Sequence, residues 1–198
     1  MSNQFKNILK KHAKSFYFAG LLLDRQTLND ASILYAFCRK LDDAADNFKS
    51  NNSHELKSLI DDYRQPASKD SVNQSFKEIQ KKYAFKQKFI DDLILGVSSD
   101  TNFKQPQNVQ DLLLYSYQVA GTVGALMAKV LGATQQKAEK FAIDLGIGMQ
   151  LTNISRDIRE DSINNRIYIP QDMLPNNFSS EDILNEKNKK YIFDATNR

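Results

Sequence analysis

Apolar residues recur at three- and four-residue spacing along nearly the whole chain, and strict alternation is scarce, so the pattern predicts helices. They are expected at about 3–18, 30–49, 53–64, 72–84, 86–99, 109–131, 135–161 and 180–193. Breakers are few, with 7 glycines and 4 prolines in 198 residues, and they fall mostly between these segments. Asn52 with Glu55 has the spacing of a capping box, and Gly132 stands where a helix-terminating glycine belongs. The stretch from Asp100 to Gln107, containing Pro106, and that from Ser162 to Asn165 read as loops within one domain. An all-α fold follows.

One helix departs from the usual amphipathic plan. After the apolar run FAIDLGIGM comes QLTNISRDIRED, in which Gln150, Asn153, Asp157 and Asp161 fall within about 80° of one another at 100° per residue. A second segment, DDAAD, sets Asp42 and Asp46 four apart in the same way. Like charges at that spacing cost a helix a few tenths of a kcal/mol each, so two such pairs call for something that offsets them. Magnesium takes oxygen ligands and is commonly held by one or two carboxylates plus substrate phosphates. Arg39 precedes the first pair, and Arg156 and Arg166 flank the second, which suits phosphate oxygens. Plain intrahelical pairing, Arg39 with Asp43 and Arg156 with Glu160, and a solvated carboxylate face are the alternatives.

The segment YSYQVAGTVGALMA places Gly121, Gly124, Ala125 and Ala128 on one side of a helix, where small residues permit either close helix packing or a long cavity. Tyr115 and Tyr117 can supply hydroxyls or ring faces beside it. His12 and Ser15, in HAKSF, form a weaker signal.

The formal charge of +3 is too small to argue for nucleic acid, and the clustered carboxylates would repel a phosphate backbone. A single cysteine, Cys38, excludes an internal disulfide and fits a reducing, cytoplasmic setting. FYFAGLLL, residues 16 to 23, is far short of a membrane span. Peripheral membrane contact is one reading of the first helix, where Phe5, Ile8 and Leu9 share a face near Lys6, Lys10, Lys11 and Lys14; packing of that face on the core is the other.

Taken together and in order, HAKSF, CRKLDDAAD, YQVAGTVG, QLTNISRDIRED and NRIYIPQDML resemble the squalene and phytoene synthases, the head-to-head prenyl transferases, from about His12 to Met173. The resemblance implies an isoprenoid-synthase-type helical bundle around a central cavity, with prenyl diphosphates as substrates and Mg²⁺ or Mn²⁺ as cofactor. It implies metal ligation by Asp42, Asp46, Asn153, Asp157 and Asp161, and diphosphate or substrate binding by His12, Ser15, Arg39, Gln150, Arg156, Arg166 and Tyr168. It places Tyr117 near the reacting carbons, although Gln118 stands where many relatives carry a second tyrosine. RIYIPQDML is most similar to the phytoene branch, which implies condensation of two geranylgeranyl diphosphates through a cyclopropyl intermediate without NADPH. Gly20 is expected to leave room for the longer chain. The alternatives are a squalene or dehydrosqualene synthase acting on farnesyl diphosphate, and a catalytically silent helical scaffold of the same superfamily. Residues 1–198 are expected to form a single domain lacking the family's C-terminal helices, and so to expose an apolar patch.

Overall fold

The computed structural model describes residues 2–46 and 54–196, and among these only helices, turns and irregular segments occur. The order is α1 (Ser2–His12), α2 (Lys14–Gly20), α3 (Arg25–Asp46), α4 (Glu55–Arg64), α5 (Ser71–Lys82), α6 (Gln87–Ser99), α7 (Val109–Ser116), α8 (Thr122–Val130), α9 (Gln136–Ile163), α10 (Ser180–Leu184) and α11 (Lys189–Thr196). Asn52, half of the expected capping box, lies outside the described residues.

The boundaries that differ from expectation have local causes. The first helix breaks at Ala13, whose backbone (φ −140°, ψ 66°) leaves the helical region. α3 starts five residues early because Asp24 accepts hydrogen bonds from the backbone N–H groups of Gln26 and Thr27, satisfying donors that a helix start leaves open. Between α7 and α8 the chain stays helical but widens into a π turn over Tyr117–Gly121. The expected last helix is divided by a 3₁₀ turn at Glu186–Asn188 into α10 and α11. Gly132 does terminate α8: its φ is +84°, and Ala133 N–H reaches back to the Ala128 carbonyl.

α3 is the central element. Its Leu34, Phe37 and Leu41 are buried, and Phe37 stacks on Phe76 of α5 with ring centroids 3.7 Å apart. Phe5 and Leu9 of α1 are buried as well, and α1 packs on α3. The apolar face of the first helix is therefore spent on the core, which is the packing reading of that face rather than the membrane one. No helix among the described residues is long and apolar enough to cross a membrane.

The small residues of α8 serve close packing. A Cβ on Gly124 would lie 2.1 Å from the Ala142 carbonyl oxygen of α9, and one on Gly146 would lie 2.3 Å from that of Ala120. Gly20 also fills a contact rather than opening space, since a Cβ there would meet Leu28 Cδ1 at 2.7 Å. The expectation that Gly20 makes room for a substrate is not met.

Beyond α9 the chain turns back through a Schellman motif. Asn165 adopts φ +57°, its N–H bonds to the Ser162 carbonyl at 3.0 Å, and Arg166 N–H bonds to that of Asp161 at 2.9 Å. The following extended segment lies along residues 105–107: Gln105 Nε2 donates to the Ile169 carbonyl, and Gln171 N–H donates to that of Pro106. Ile167, Ile169, Leu174, Ile183 and Ala195 form a second, smaller core there.

Candidate active site

Three chain segments meet at one end of the molecule: the C-terminal ends of α3 and α9, and the 3₁₀ turn Asp100–Asn102 that follows α6. Arg166, brought over by the turn at Asn165, joins two of them. Its Nη1 lies 2.9 Å from Asp46 of α3, and its charge offsets part of the burial penalty on Asp100. Its Nε is buried and has no hydrogen-bond partner. The same holds for Nε of Arg39, whose two terminal nitrogens hold Asp42 at 3.2 Å and Asp43 at 2.6 Å. Two guanidinium donors thus stand unused beside the carboxylates, in a setting where an unmade hydrogen bond is costly.

The carboxylates perturb one another. Burial, then Asp46, pushes the Asp42 carboxyl up to about 6. Burial, then Asp157, does the same to Asp161, with Asp100 contributing to both. Asp100 is itself raised by burial against the pull of Arg166 and of the Tyr115 and Tyr168 hydroxyls. Those hydroxyls donate to its two oxygens at 3.0 and 3.2 Å and lie 3.3 Å from each other, while the two rings stack at 5.1 Å. Beside this network a cleft of about 270 Å³ is lined by Ala45, Asp100, Thr101, Phe103, Asn164, Asn165 and Arg166.

The structure therefore brings Asp42, Asp46, Asp161, Arg39, Arg166 and Tyr168 together and adds Asp100 and Tyr115. Asp157 is nearby, but its carboxylate is engaged by Arg156 at 2.6 and 2.7 Å, which keeps it below the usual carboxylate range. That pairing of adjacent residues replaces the expected Arg156–Glu160 pair, and Arg156 itself is exposed. Arg39 does pair with Asp43 as the intrahelical reading expected. Gln150 and Asn153 are half-buried on the same helix as Asp157, whereas His12 and Ser15 are exposed at the α1–α2 break.

Tyr117 is not at this site. Its hydroxyl donates to Asp92 of α6 at 2.8 Å, which also pairs with Lys88, and burial pushes it up to about 12. Residues two apart on a helix point some 200° from one another, so only one tyrosine of the pair can face the aspartates. Tyr115 is that one.

An all-oxygen donor set of this kind suits a hard divalent cation. Among the described residues, however, no three carboxylates converge closely enough to form a ligand cluster by themselves. Any ion here needs oxygen ligands from elsewhere, and phosphate oxygens are the natural complement to arginines with idle donors. Leading away from the polar end, α9 exposes Phe141 (66 %), Leu145 (65 %) and Met149, one below the other at four-residue spacing. α7, which packs on α9, exposes Leu113 and Leu114. An acidic, arginine-flanked mouth at the end of an uncovered apolar wall is what a ligand with a charged head and a long hydrocarbon tail requires.

Comparisons with known proteins bear on the family and the fold. The chain is 32 % identical over 194 residues to a chloroplastic phytoene synthase of an Oncidium hybrid cultivar, covering 91 % of this chain and 47 % of that protein. It is 32 % identical to a 15-cis-phytoene synthase of Enterobacter agglomerans, covering 91 % of this chain and 66 % of the relative. Between about half and two thirds of such relatives is thus spanned. Among solved structures, a dehydrosqualene synthase in complex with a ligand superposes with a TM-score of 0.78 at 27 % identity, over 98 % of this chain and 75 % of that one. A squalene synthase from Alicyclobacillus acidocaldarius shares the fold, with a TM-score of 0.80 at 19 % identity over 98 % of this chain and 78 % of the other. The squalene/phytoene synthase family model matches residues 9–198, and the chain belongs to that family.

Proposed function

We propose that this chain carries the diphosphate-binding part of a phytoene synthase, which joins two geranylgeranyl diphosphates head to head into a C40 hydrocarbon. The observation that carries the reading is the facing of α3 and α9 carboxylates across Arg166 at the foot of an exposed apolar wall. The names of the sequence relatives favour phytoene as product. The likeness to a dehydrosqualene synthase supports a second reading, with two farnesyl diphosphates as substrates.

Asp42, Asp46, Asn153, Asp157 and Asp161 are the residues that would hold magnesium or manganese, which would supply Lewis-acid neutralisation of the diphosphate charge. The idle Nε–H groups of Arg39 and Arg166 are donors for its oxygens, which favours heterolysis of the allylic C–O bond as diphosphate departs. The double bond of the second substrate attacks the allylic cation, and loss of a proton closes a cyclopropane that still bears one diphosphate. Departure of that second diphosphate, rearrangement and loss of another proton give the hydrocarbon with no reductant consumed. Tyr115 donates its proton to Asp100, so its ring face and oxygen lone pairs remain available to a cation. The exposed apolar side chains along α7 and α9 offer the prenyl tails a hydrocarbon-like wall.

Incubation of the protein with Mg²⁺ and either geranylgeranyl or farnesyl diphosphate, with and without NADPH, followed by product identification, tests this. A C40 hydrocarbon formed without NADPH is expected. A C30 product from farnesyl diphosphate establishes the second reading, and no consumption of either substrate favours a silent scaffold.

A further inference from the structure

Arg166 is the internal counter-ion of the acidic mouth. The turn at Asn165 and the bond from Arg166 N–H to the Asp161 carbonyl fix its backbone just beyond α9. From there the side chain reaches Asp46 of α3, with Nη1 2.9 Å from the carboxylate. Its charge also faces Asp100 of the 3₁₀ turn and Asp161 of α9. Burial raises Asp100 and, with Asp157, Asp161, and Arg166 pulls against the rise in both. One guanidinium thus answers carboxylates from all three segments of the mouth, the task that a divalent cation performs in an oxygen-ligand site.

The two sides of this ion pair differ. The Arg166 side chain is 14 % exposed and that of Asp46 52 %, so the carboxylate can be approached from solvent, while the guanidinium cannot give up its partner without leaving a poorly hydrated charge behind. The buried Nε–H makes no hydrogen bond, so the donors of this arginine are only partly used. Room to turn lies beside it, in the cleft of about 270 Å³ that Arg166 shares with Asp100, Thr101 and Asn164. A phosphate taken up at Nε–H gives the guanidinium a second anion and loosens its hold on Asp46. Magnesium dehydrates reluctantly and is commonly held by one or two carboxylates together with phosphate oxygens. With Asp46 engaged by Arg166 and no phosphate present, the mouth offers such an ion little.

We propose that Arg166 is an exchangeable internal cation that keeps Asp46 from a divalent metal until a diphosphate arrives to occupy the guanidinium. The proposal rests on the metal–diphosphate reading of this site and adds an interlock to it: metal and diphosphate bind together, and neither stays alone. Coupling between two ligands is reciprocal, so each raises the affinity of the other by the same factor. The mouth then stays poor in metal between substrates, and metal leaves with the released diphosphate.

The test is binding of Mn²⁺, followed by the electron paramagnetic resonance signal of the free ion, to wild type, to Arg166→Gln and, as a control for net charge, to Arg159→Gln, which removes an exposed arginine of α9. Each protein is measured alone and with pyrophosphate, against protein-free mixtures that account for the metal–pyrophosphate complex. Wild type should bind Mn²⁺ about tenfold or more weakly alone than with pyrophosphate. Arg166→Gln should bind Mn²⁺ alone about tenfold or more tightly than wild type, the usual worth of a hydrogen bond between charged groups, and should gain less than about threefold from pyrophosphate. Arg159→Gln should behave as wild type. Should circular dichroism show Arg166→Gln unfolded, wild type decides by nuclear magnetic resonance: the Arg166 Nε–H signal, assigned through the backbone, should stay in place with Mg²⁺ alone and shift with Mg²⁺ and pyrophosphate. Metal binding by wild type that is as tight without pyrophosphate as with it, an Nε–H signal that shifts with Mg²⁺ alone, or an Arg166→Gln affinity for metal alone no higher than that of Arg159→Gln overturns the proposal. No binding by wild type even of metal and pyrophosphate together removes the diphosphate site itself, and the proposal with it.

Discussion

Replacing Asp161 by Asn should make the metal-free protein more stable at neutral pH while removing its response to metal. The wild-type carboxyl is pushed up to about 6 from a usual value of 3.8 by burial and by Asp157, Glu160 and Asp100, against the weaker pull of Arg166. A folded-state pKa raised above the unfolded one means that the fold prefers the protonated form. The penalty is absent below pH 3.8, grows as pH rises, and is complete above about 6. A shift of this size corresponds to about 3 kcal/mol without screening, and solvent access at the mouth reduces it to about 1 kcal/mol. For a chain of this size that amounts to about 2–4 °C in melting temperature. Thermal unfolding at pH 4 and pH 8, with and without Mg²⁺ and pyrophosphate, reads it. Asp161→Asn should melt about 2–4 °C above wild type at pH 8 and level with it at pH 4. Wild type should gain stability on adding Mg²⁺ and pyrophosphate, and the variant should gain little. A variant that melts below wild type at pH 8, or that keeps the full gain, would refute the reasoning.

Removing the Tyr115 hydroxyl with Phe takes one donor from half-buried Asp100, which should cost about 1–2 kcal/mol and reduce product formation more than tenfold; Tyr117→Phe takes a donor from Asp92 instead and should leave the Asp100 network intact. Parallel melting curves and product yields separate the two. Gly124→Ala drives a Cβ into the Ala142 carbonyl of α9 and should destabilise by about 2 kcal/mol or more, whereas Gly148→Ala meets nothing within 4 Å and should stabilise by up to about 1 kcal/mol in urea unfolding.

The helical layout was legible because apolar residues repeat with the helical period, and the two aspartate pairs were legible because each lies within one helix. What pairwise spacing does not carry is contact between distant segments. The Arg166–Asp46 bond spans 120 residues, and a three-dimensional turn at Asn165 is needed to make it. Asp100 gave no signal in the polar run SSDTN; only folding places it against Tyr115 and Tyr168. The sequence names both Tyr115 and Tyr117, but the orientation of α7 decides that Tyr115 is the one bonded to Asp100. Glycines at helical spacing were ambiguous between cavity and contact until the carbonyl of Ala142 was seen 2.1 Å from where a Cβ would stand on Gly124. The early start of α3 did have a sequence signal, Asp24 followed by Thr27, masked by the polar composition of the first turn.

Calorimetric titration of the protein with pyrophosphate, in Mg²⁺ and in EDTA, bears most directly on the claim that α3 and α9 together form a metal–diphosphate site. Binding should appear only with Mg²⁺ and should be lost both in Asp42→Asn, on α3, and in Asp161→Asn, on α9, with helical content by circular dichroism unchanged. Binding that persists in EDTA, or that survives either substitution undiminished, would contradict it.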